Sequence, residues 1–298
     1  MRILVTGAGG FLGRAVVRAA LARGHAVTAL VRGAAEGWPA EVRVLRADLA
    51  RDAGLAALVA GQDVVVHCAA SLGTDAEEQQ RDTVDATRNL LAALASARVP
   101  RLVLASSIAV IDHLRCGERV DESAPLEPDP AVRGPYIGAK LEQERMARAS
   151  GLDVRILRPG LVRGPEREWF YQLGLALGAR LWIALAGSAR LPLVHVDDCA
   201  QAFVLAAEVE RGGFTLHVVD ERAPTRADYL RSLSARSTPR KLVLSLPWGV
   251  LRALARCANL VGVRAGMLHP ARLAARCRPL VWSSAAAQRT LGWVPTKS

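Results

Sequence analysis

Arg2-Ile-Leu-Val-Thr-Gly-Ala-Gly-Gly-Phe-Leu-Gly13 is the stretch that decides the fold. Arg2 to Thr6 reads as a buried strand. Gly7, Gly10 and Gly13 follow it, and apolar residues then recur at helical spacing (Leu12, Val16, Ala19, Ala20) until Gly24 supplies a stop signal. A tight turn, a close approach of backbone to a pyrophosphate and close helix packing each require a missing side chain. The helix N-terminus adds free N–H groups and the positive end of its dipole. Glycines placed between a strand and a helix therefore predict a dinucleotide cradle, with Gly7, Gly10, Phe11, Leu12 and Gly13 as its contacts.

The chain continues in the same idiom. Ala26 to Val31 and Val42 to Arg46 read as strands, Asp52 to Ala60 as a helix, and Asp63 to His67 as an apolar strand covered on both faces. A long helix is predicted from Asp75 to Ala97, a fifth strand from Arg101 to Ala105, and a sixth from Leu152 to Leu157. Strands alternating with amphipathic stretches indicate parallel βαβ units. Cys116 to Arg133, with Pro125, Pro128, Pro130 and, just beyond, Pro135, is expected to be a loop before a helix from Pro135 to Ala149.

Beyond Arg158 the alternation becomes irregular, which suggests a smaller lobe. Trp169 to Ala186 is apolar but interrupted by Gln172 and Arg180; it is expected to wall a pocket rather than span a bilayer. Pro247 to Val261 reads as a helix with Leu251, Leu254, Ala255 and Ala258 on one face and Arg252, Arg256 and Asn259 opposite. A core-packed surface helix is the preferred reading, and peripheral membrane contact the alternative.

With 298 residues, 51% of them hydrophobic and 22% charged, the chain is a folded globule rather than a disordered one. Strand-like sequence starts at Arg2, which leaves no room for a secretory leader, and a cytoplasmic location is expected. Cys68, Cys116, Cys199, Cys257 and Cys277 are widely spaced and odd in number, so neither disulfides nor a metal site is indicated. The net charge of +11 is uneven: residues 1–210 hold 24 Lys and Arg against 25 Asp and Glu, residues 211–298 hold 15 against 3. No aromatic interleaving or reading module accompanies that basic end, so nucleic acid is not an expected partner.

Tyr136 and Lys140 stand one helical turn apart in Gly134-Pro-Tyr-Ile-Gly-Ala-Lys140. On one helix face the ammonium can stabilise the phenolate and draw a group whose free pKa is ~10 toward neutrality, giving a proton donor and acceptor. Ser106 and Ser107 end the fifth strand, at the sheet edge where ligands of open α/β folds bind. A hydroxyl there can hydrogen-bond a carbonyl oxygen that acquires charge. Arg32 stands at the end of the second strand, where an NAD-preferring site places an acid. A guanidinium there favours a 2′-phosphate, hence NADP, with NAD as the alternate. Asp48 ends the third strand, in place to accept from the adenine amino group.

Taken together, these residues resemble the extended short-chain dehydrogenase/reductases, the group that includes the NAD-dependent epimerase/dehydratases, over nearly the whole chain. The matching elements are Thr6 to Gly13, Asp48-Leu49, His67-Cys68-Ala69-Ala70, Ser106-Ser107, Tyr136 with Lys140, Arg158-Pro159-Gly160 followed by Val162, Val194-His-Val-Asp-Asp198 and Leu291-Gly-Trp293. The resemblance implies a Rossmann-type doubly wound parallel sheet: residues 1–160 bind the dinucleotide and 161–298 form mainly a C-terminal substrate lobe, with about 190–220 returning to the core. It implies Tyr136 as acid/base, Lys140 on the nicotinamide ribose and Ser107 on the substrate oxygen. Cofactor contacts would add Leu49, Cys68, Ala69, Ala70, Ser106, Pro159, Gly160 and Val162. His195, Asp197 and Asp198 are expected to be structural.

Three positions depart from the family. Thr83 replaces an asparagine in the helix after the fourth strand, which puts the usual water-linked proton route in doubt. Val110-Ile-Asp112 replaces V-Y-G, and Arg158-Pro-Gly160 lacks the asparagine-containing form of nucleotide-sugar epimerases. The last looks like the branches that include relatives of 3-beta-hydroxysteroid dehydrogenases and flavonoid or aldehyde reductases. The leading expectation is an NADP-dependent oxidoreductase interconverting a secondary alcohol and a ketone or aldehyde on a mostly apolar small molecule. A nucleotide-sugar epimerase or dehydratase and a non-catalytic NADP-binding regulator are the alternatives. A homodimer is left open.

Overall fold

The computed structural model describes residues 1–33, 37–178, 180–260, 266 and 269–297. Its strands are β1 (Arg2–Thr6), β2 (Ala26–Val31), β3 (Arg43–Arg46), β4 (Val64–His67), β5 (Arg101–Ala105), β6 (Arg119–Val120) and β7 (Asp153–Pro159). The second half adds β8 (Leu161–Arg163), β9 (Gly174–Leu177), β10 (Leu181–Leu185), β11 (Leu193–His195), β12 (Phe214–Val218), β13 (Leu242–Leu246) and β14 (Val281–Trp282). The helices are α1 (Phe11–Ala22), α2 (Leu55–Val59), α3 (Ala76–Gln79), α4 (Ala86–Ser96), α5 (Pro130–Arg133) and α6 (Pro135–Arg148). Then come α7 (Val196–Glu208), α8 (Arg226–Ala235), α9 (Trp248–Leu260), α10 (Pro270–Cys277) and α11 (Ala285–Leu291).

One seven-stranded sheet, in the order β12-β7-β5-β4-β1-β2-β3 and parallel throughout, forms the centre. Alternation along each strand sorts its side chains to the two faces. Ile3, Val5, Val64, Val66 and Val103 pack with α1 and α7, while Leu4, Val65, Leu102, Leu104 and Ile156 pack with α2, α4 and α6. Both faces are dry, which is why these strands read as continuous apolar runs. The chain steps outward from β1 to β3 and then returns to place β4 on the other side of β1. That reversal opens a crevice beyond the carboxyl ends of β1 and β4.

A three-stranded sheet, β13-β10-β9, forms the second lobe, with α8 packed beneath it and α9 and α10 at one end. The strand β12 belongs to the central sheet through its pairing with β7, and α7 packs in the core cluster that also holds α1.

Several local expectations need correction. The helix predicted from Asp75 to Ala97 is broken by a π-helical stretch, Gln80–Asp85. There the buried Thr83 hydroxyl donates to Gln79 and accepts from the Ser71 backbone, and Thr87 donates to the Thr83 carbonyl, so side chains intrude on the helical ladder. Asp52 to Ala60 shortens to α2. Cys116 to Arg133 is not all loop: β6 pairs with β14, a partner far away in sequence, and α5 starts on Pro130. Trp169 to Ala186 forms β9 and β10, with Leu175 and Leu177 exposed rather than enclosed in a pocket. In α9 Leu251 and Ala255 are buried, but Leu254 faces outward. The side chains of Ala258 and Asn259, and Val261, lie outside the described residues.

Candidate active site

Gly7 turns with φ +62°, and a Cβ there would stand 2.6 Å from the Ala69 nitrogen; one on Gly13 would stand 2.2 Å from the Gly7 carbonyl oxygen. No real side chain survives such approaches, so the β1–α1 turn is built on the absence of side chains. It packs directly on Cys68 and Ala69 after β4. A Cβ on Gly9, by contrast, would make only an ordinary contact, with Val31 Cγ1 at 3.8 Å. The N-cap of α1, Gly10, brings no side-chain cap, and the first turn holds no acid. Uncapped amides with nothing negative beside them suit a pyrophosphate, and the crevice therefore fits a dinucleotide.

The other expected cofactor contacts divide. Asp48 caps its own turn, accepting from Ala50 N at 2.9 Å, and Leu49 is buried. Arg32 is engaged: its guanidinium meets Asp82, from the π-helical stretch, at 2.7 Å. Ala70 and Val162 are half-buried. Pro159 ends β7 and Gly160 follows it, passing so close to the Pro192 carbonyl oxygen that a Cβ would lie 2.0 Å away.

Ser106 and Ser107 point to different partners. Ser106, buried, donates to Glu144 at 2.6 Å, and the same carboxylate receives Arg158 Nε at 2.8 Å and Nη2 at 2.7 Å. Ser107 caps the short 3₁₀ turn Ile108–Val110, accepting from Ala109 N, and its hydroxyl lies close enough to the Tyr136 phenol to act on its pKa. Against the expectation that Lys140 draws it toward neutrality, that phenol is raised above its ordinary value: burial pushes it up, the Ser107 hydroxyl draws it down by less, and Tyr171 adds a smaller upward push.

Lys140 lies one turn along α6, its ammonium 5.9 Å from the Tyr136 ring centroid. It is buried and donates to the Ala105 carbonyl at 2.8 Å and to Gln143 Oε1 at 2.9 Å. Burial brings Lys140 down to about 8, with Cys68 and Glu144 acting the other way. Its ammonium thus borders the phenol ring, while its hydrogen bonds go to the amide and the sheet. Behind Gln143 a buried chain of hydrogen bonds runs to the cradle. Gln143 Nε2 donates to Thr87 Oγ1 at 2.5 Å, Thr87 meets His67 Nε2 at 3.0 Å, and His67 Nδ1 meets Thr6 Oγ1 at 2.6 Å. Burial, and secondarily Lys140, pushes His67 down to about 3, so it is a neutral hydrogen-bonding link. Burial raises the Cys68 thiol to about 12, against a smaller downward pull from Lys140, so it is not a nucleophile.

Gln143, Glu144, Thr87 and Arg158 were missed as site-supporting residues. Glu144 carried a faint signal, one turn beyond Lys140 on the same face. The expected lobe-linking residues hold the C-terminal tail. Asp198 accepts from Thr296 N at 3.0 Å and Lys297 N at 2.8 Å, Trp293 Nε1 donates to the Asp198 carbonyl, and His195 caps α7. Of the departing positions, Val110 and Ile111 are core, and Asp112 caps its own turn by accepting from Leu114 and Arg115.

A parallel sheet with a glycine cradle at its switch point and a Ser, Tyr and Lys set beside it defines a nicotinamide-dependent class. The chain belongs to the NAD dependent epimerase/dehydratase family, whose profile matches residues 3–219. It is an NAD(P)-dependent oxidoreductase of the extended short-chain dehydrogenase/reductase type. A 3-diazoavenalumate denitrifying reductase from a Streptomyces species is 35% identical over 99% of this chain and 96% of its own. A 4-hydroxy-2-methyl-3-oxo-4-farnesyl-3,4-dihydroquinoline-1-oxide ketoreductase from Stigmatella aurantiaca is 33% identical over 86% of this chain and 79% of its own. A short-chain dehydrogenase/reductase superfamily protein from Agrobacterium tumefaciens, solved with bound NAD, superposes with a TM-score of 0.75 at 21% identity, covering 100% of this chain and 93% of its own, which speaks to the fold.

Proposed function

We propose that the protein is an NADP-dependent reductase interconverting a secondary alcohol and a ketone or aldehyde on a mostly apolar small molecule, with Tyr136 as acid/base. The observation that carries the proposal is the convergence of Ser107, Tyr136 and Lys140 at the carboxyl end of β5, beside the glycine cradle. When bound, the dinucleotide supplies or takes up the hydride. In the reductive direction Tyr136 gives its proton to the substrate oxygen, and Ser107, beside the phenol, orients that oxygen. Lys140, hydrogen-bonded to neutral acceptors, carries its charge next to the ring and favours the phenolate left behind. Gly7, Gly10, Phe11, Leu12 and Gly13 would hold the pyrophosphate.

Arg32 in place of an acid supports NADP; a 2′-phosphate would compete with Asp82 for its guanidinium. The ketoreductase relative supports carbonyl chemistry, and the farnesylated substrate in its name supports an apolar substrate class, whereas the denitrifying reductase supports reduction alone. The test is Tyr136→Phe. Turnover of NADPH with a ketone panel should fall by about 10²- to 10⁴-fold while the dinucleotide Kd holds. Unchanged turnover would overturn the reading and favour a cofactor-binding regulator.

A further inference from the structure

Register in the second-lobe sheet puts its aliphatic residues on one face in rows. Leu177, Leu181 and Leu242 are aligned across the three strands, as are Leu175, Ile183 and Leu244. Registered residues share a face, and the alternate positions, including Trp182, Ala184 and Val243, turn inward to the cluster built with α8. An antiparallel or mixed sheet with one solvated side shows polar residues there. This sheet is apolar on both.

α9 and α10 cover the far end, over Leu185 and Leu246, and reach Ile183. The flanking members of the two rows stay open while Leu181 and Ile183 between them are half-buried: Leu242 is 62% exposed, Leu177 48%, Leu244 48% and Leu175 38%. The outer side of α9 extends the patch with Leu254 at 55% and Val250 at 43%. Contiguous exposure of this kind marks an interaction surface.

Charge selects the occupant. From Tyr229 to Ser298 the sequence has 12 Lys and Arg and no Asp or Glu. Arg180 and Lys241 precede the registered pair Leu181 and Leu242, so both sit at one edge of the aliphatic rows, with Arg240 beside them. Arg252 and Arg256 are exposed on α9 among its outward apolar residues. A second copy meeting this face through itself would bring like charges together, which opposes an isologous dimer there. Nucleic acid would match the charge but leave the leucines unused. Aliphatic residues rimmed by cations match the boundary between acyl chains and anionic headgroups. No described helix is long and apolar enough to cross a membrane, so the contact is a surface one.

We propose that this face seats the protein on anionic lipid bilayers. The rows begin next to Tyr171: the Gly174 carbonyl at the start of β9 accepts from Arg276, and Arg276 stacks over the Tyr171 ring.

The test is co-sedimentation of the full chain with vesicles of phosphatidylcholine alone and of phosphatidylcholine mixed equally with phosphatidylglycerol. Partitioning should favour the anionic vesicles by about tenfold or more and weaken in high salt. Leu242→Ser with Leu244→Ser, and separately Arg252→Glu with Arg256→Glu, should each lower it about tenfold with Tm and solution mass unchanged. A protein that stays in the supernatant with both vesicles overturns the proposal. So does a wild-type dimer that the paired serine substitutions convert to monomers, since the face would then belong to a second copy.

Discussion

Glu144 takes both forks of the Arg158 guanidinium, at 2.8 and 2.7 Å, and accepts the Ser106 hydroxyl with one of the same oxygens. The pair is buried on both sides and ties α6, which carries Tyr136 and Lys140, to β5 and β7. Ser106 is thereby engaged by Glu144, and Ser107 is left on the Tyr136 side.

Breaking that pair from one side strands a buried charge. Glu144→Ala should cost about 3–5 kcal/mol in urea denaturation. Burial alone pushes the Glu144 carboxyl up, but Arg158, with Ser106 and Arg148, more than offsets this, and the group sits below its usual value. A carboxyl lowered on folding contributes stability that is complete above the unfolded carboxylate range and lost as pH falls through the folded value. The wild type should therefore lose stability on acidification below pH ~4, and Glu144→Ala should lose less across that window.

Lys140 has the opposite sign. Its folded value, about 8, lies below that of a free lysine. Between the two, the unfolded chain binds the proton and the folded chain does not, so stability rises as pH climbs from about 8 toward ~10.4, by on the order of 3 kcal/mol. Lys140→Met should abolish that rise in denaturation curves at pH 7 and pH 10, and at neutral pH it should fold at least as stably as the wild type while losing turnover. A site that gains stability when its charge is removed is one where charge serves chemistry.

Arg32 and Asp82 make a further prediction. Arg32→Ala should weaken NADPH binding about tenfold or more and leave NADH nearly unchanged, whereas Asp82→Asn, by releasing the guanidinium, should tighten NADPH. Fluorescence titration of both dinucleotides against both variants reads the difference. Equal effects on the two would dissociate Arg32 from the 2′-phosphate.

The glycines of the cradle are not equivalent. Gly13→Ala would press a methyl against the Gly7 carbonyl, whereas Gly9→Ala would place one at ordinary contact distance from Val31. The first should lower Tm by several degrees and abolish dinucleotide binding. The second should leave Tm unchanged and weaken binding only. Differential scanning calorimetry with and without NADPH separates the two.

How much was legible follows from where each determinant lies along the chain. The cradle, the inner strands of the central sheet and the Tyr136–Lys140 turn depend on neighbours within a few residues, and the spacing of glycines, apolar runs and an i, i+4 pair displays them directly. The short pairing of β6 with β14 and the π-helical stretch do not announce themselves. One depends on a strand distant in sequence, and the other on Thr83 finding Ser71 and Gln79.

By itself, then, the sequence determined a doubly wound parallel sheet, the position of its glycine turn and the spacing of Tyr136 and Lys140 beside it, because each is a local pattern of backbone freedom, periodicity or helical spacing. Only the tertiary structure decided what those residues do with one another. It turned Ser106 into Glu144 and Ser107 toward Tyr136, gave Lys140 to Gln143 and Ala105, set Asp82 on Arg32, and left Leu175, Leu177, Leu242 and Leu244 exposed. Each of these is a partnership between different elements, and such partners are chosen by how sheets and helices pack.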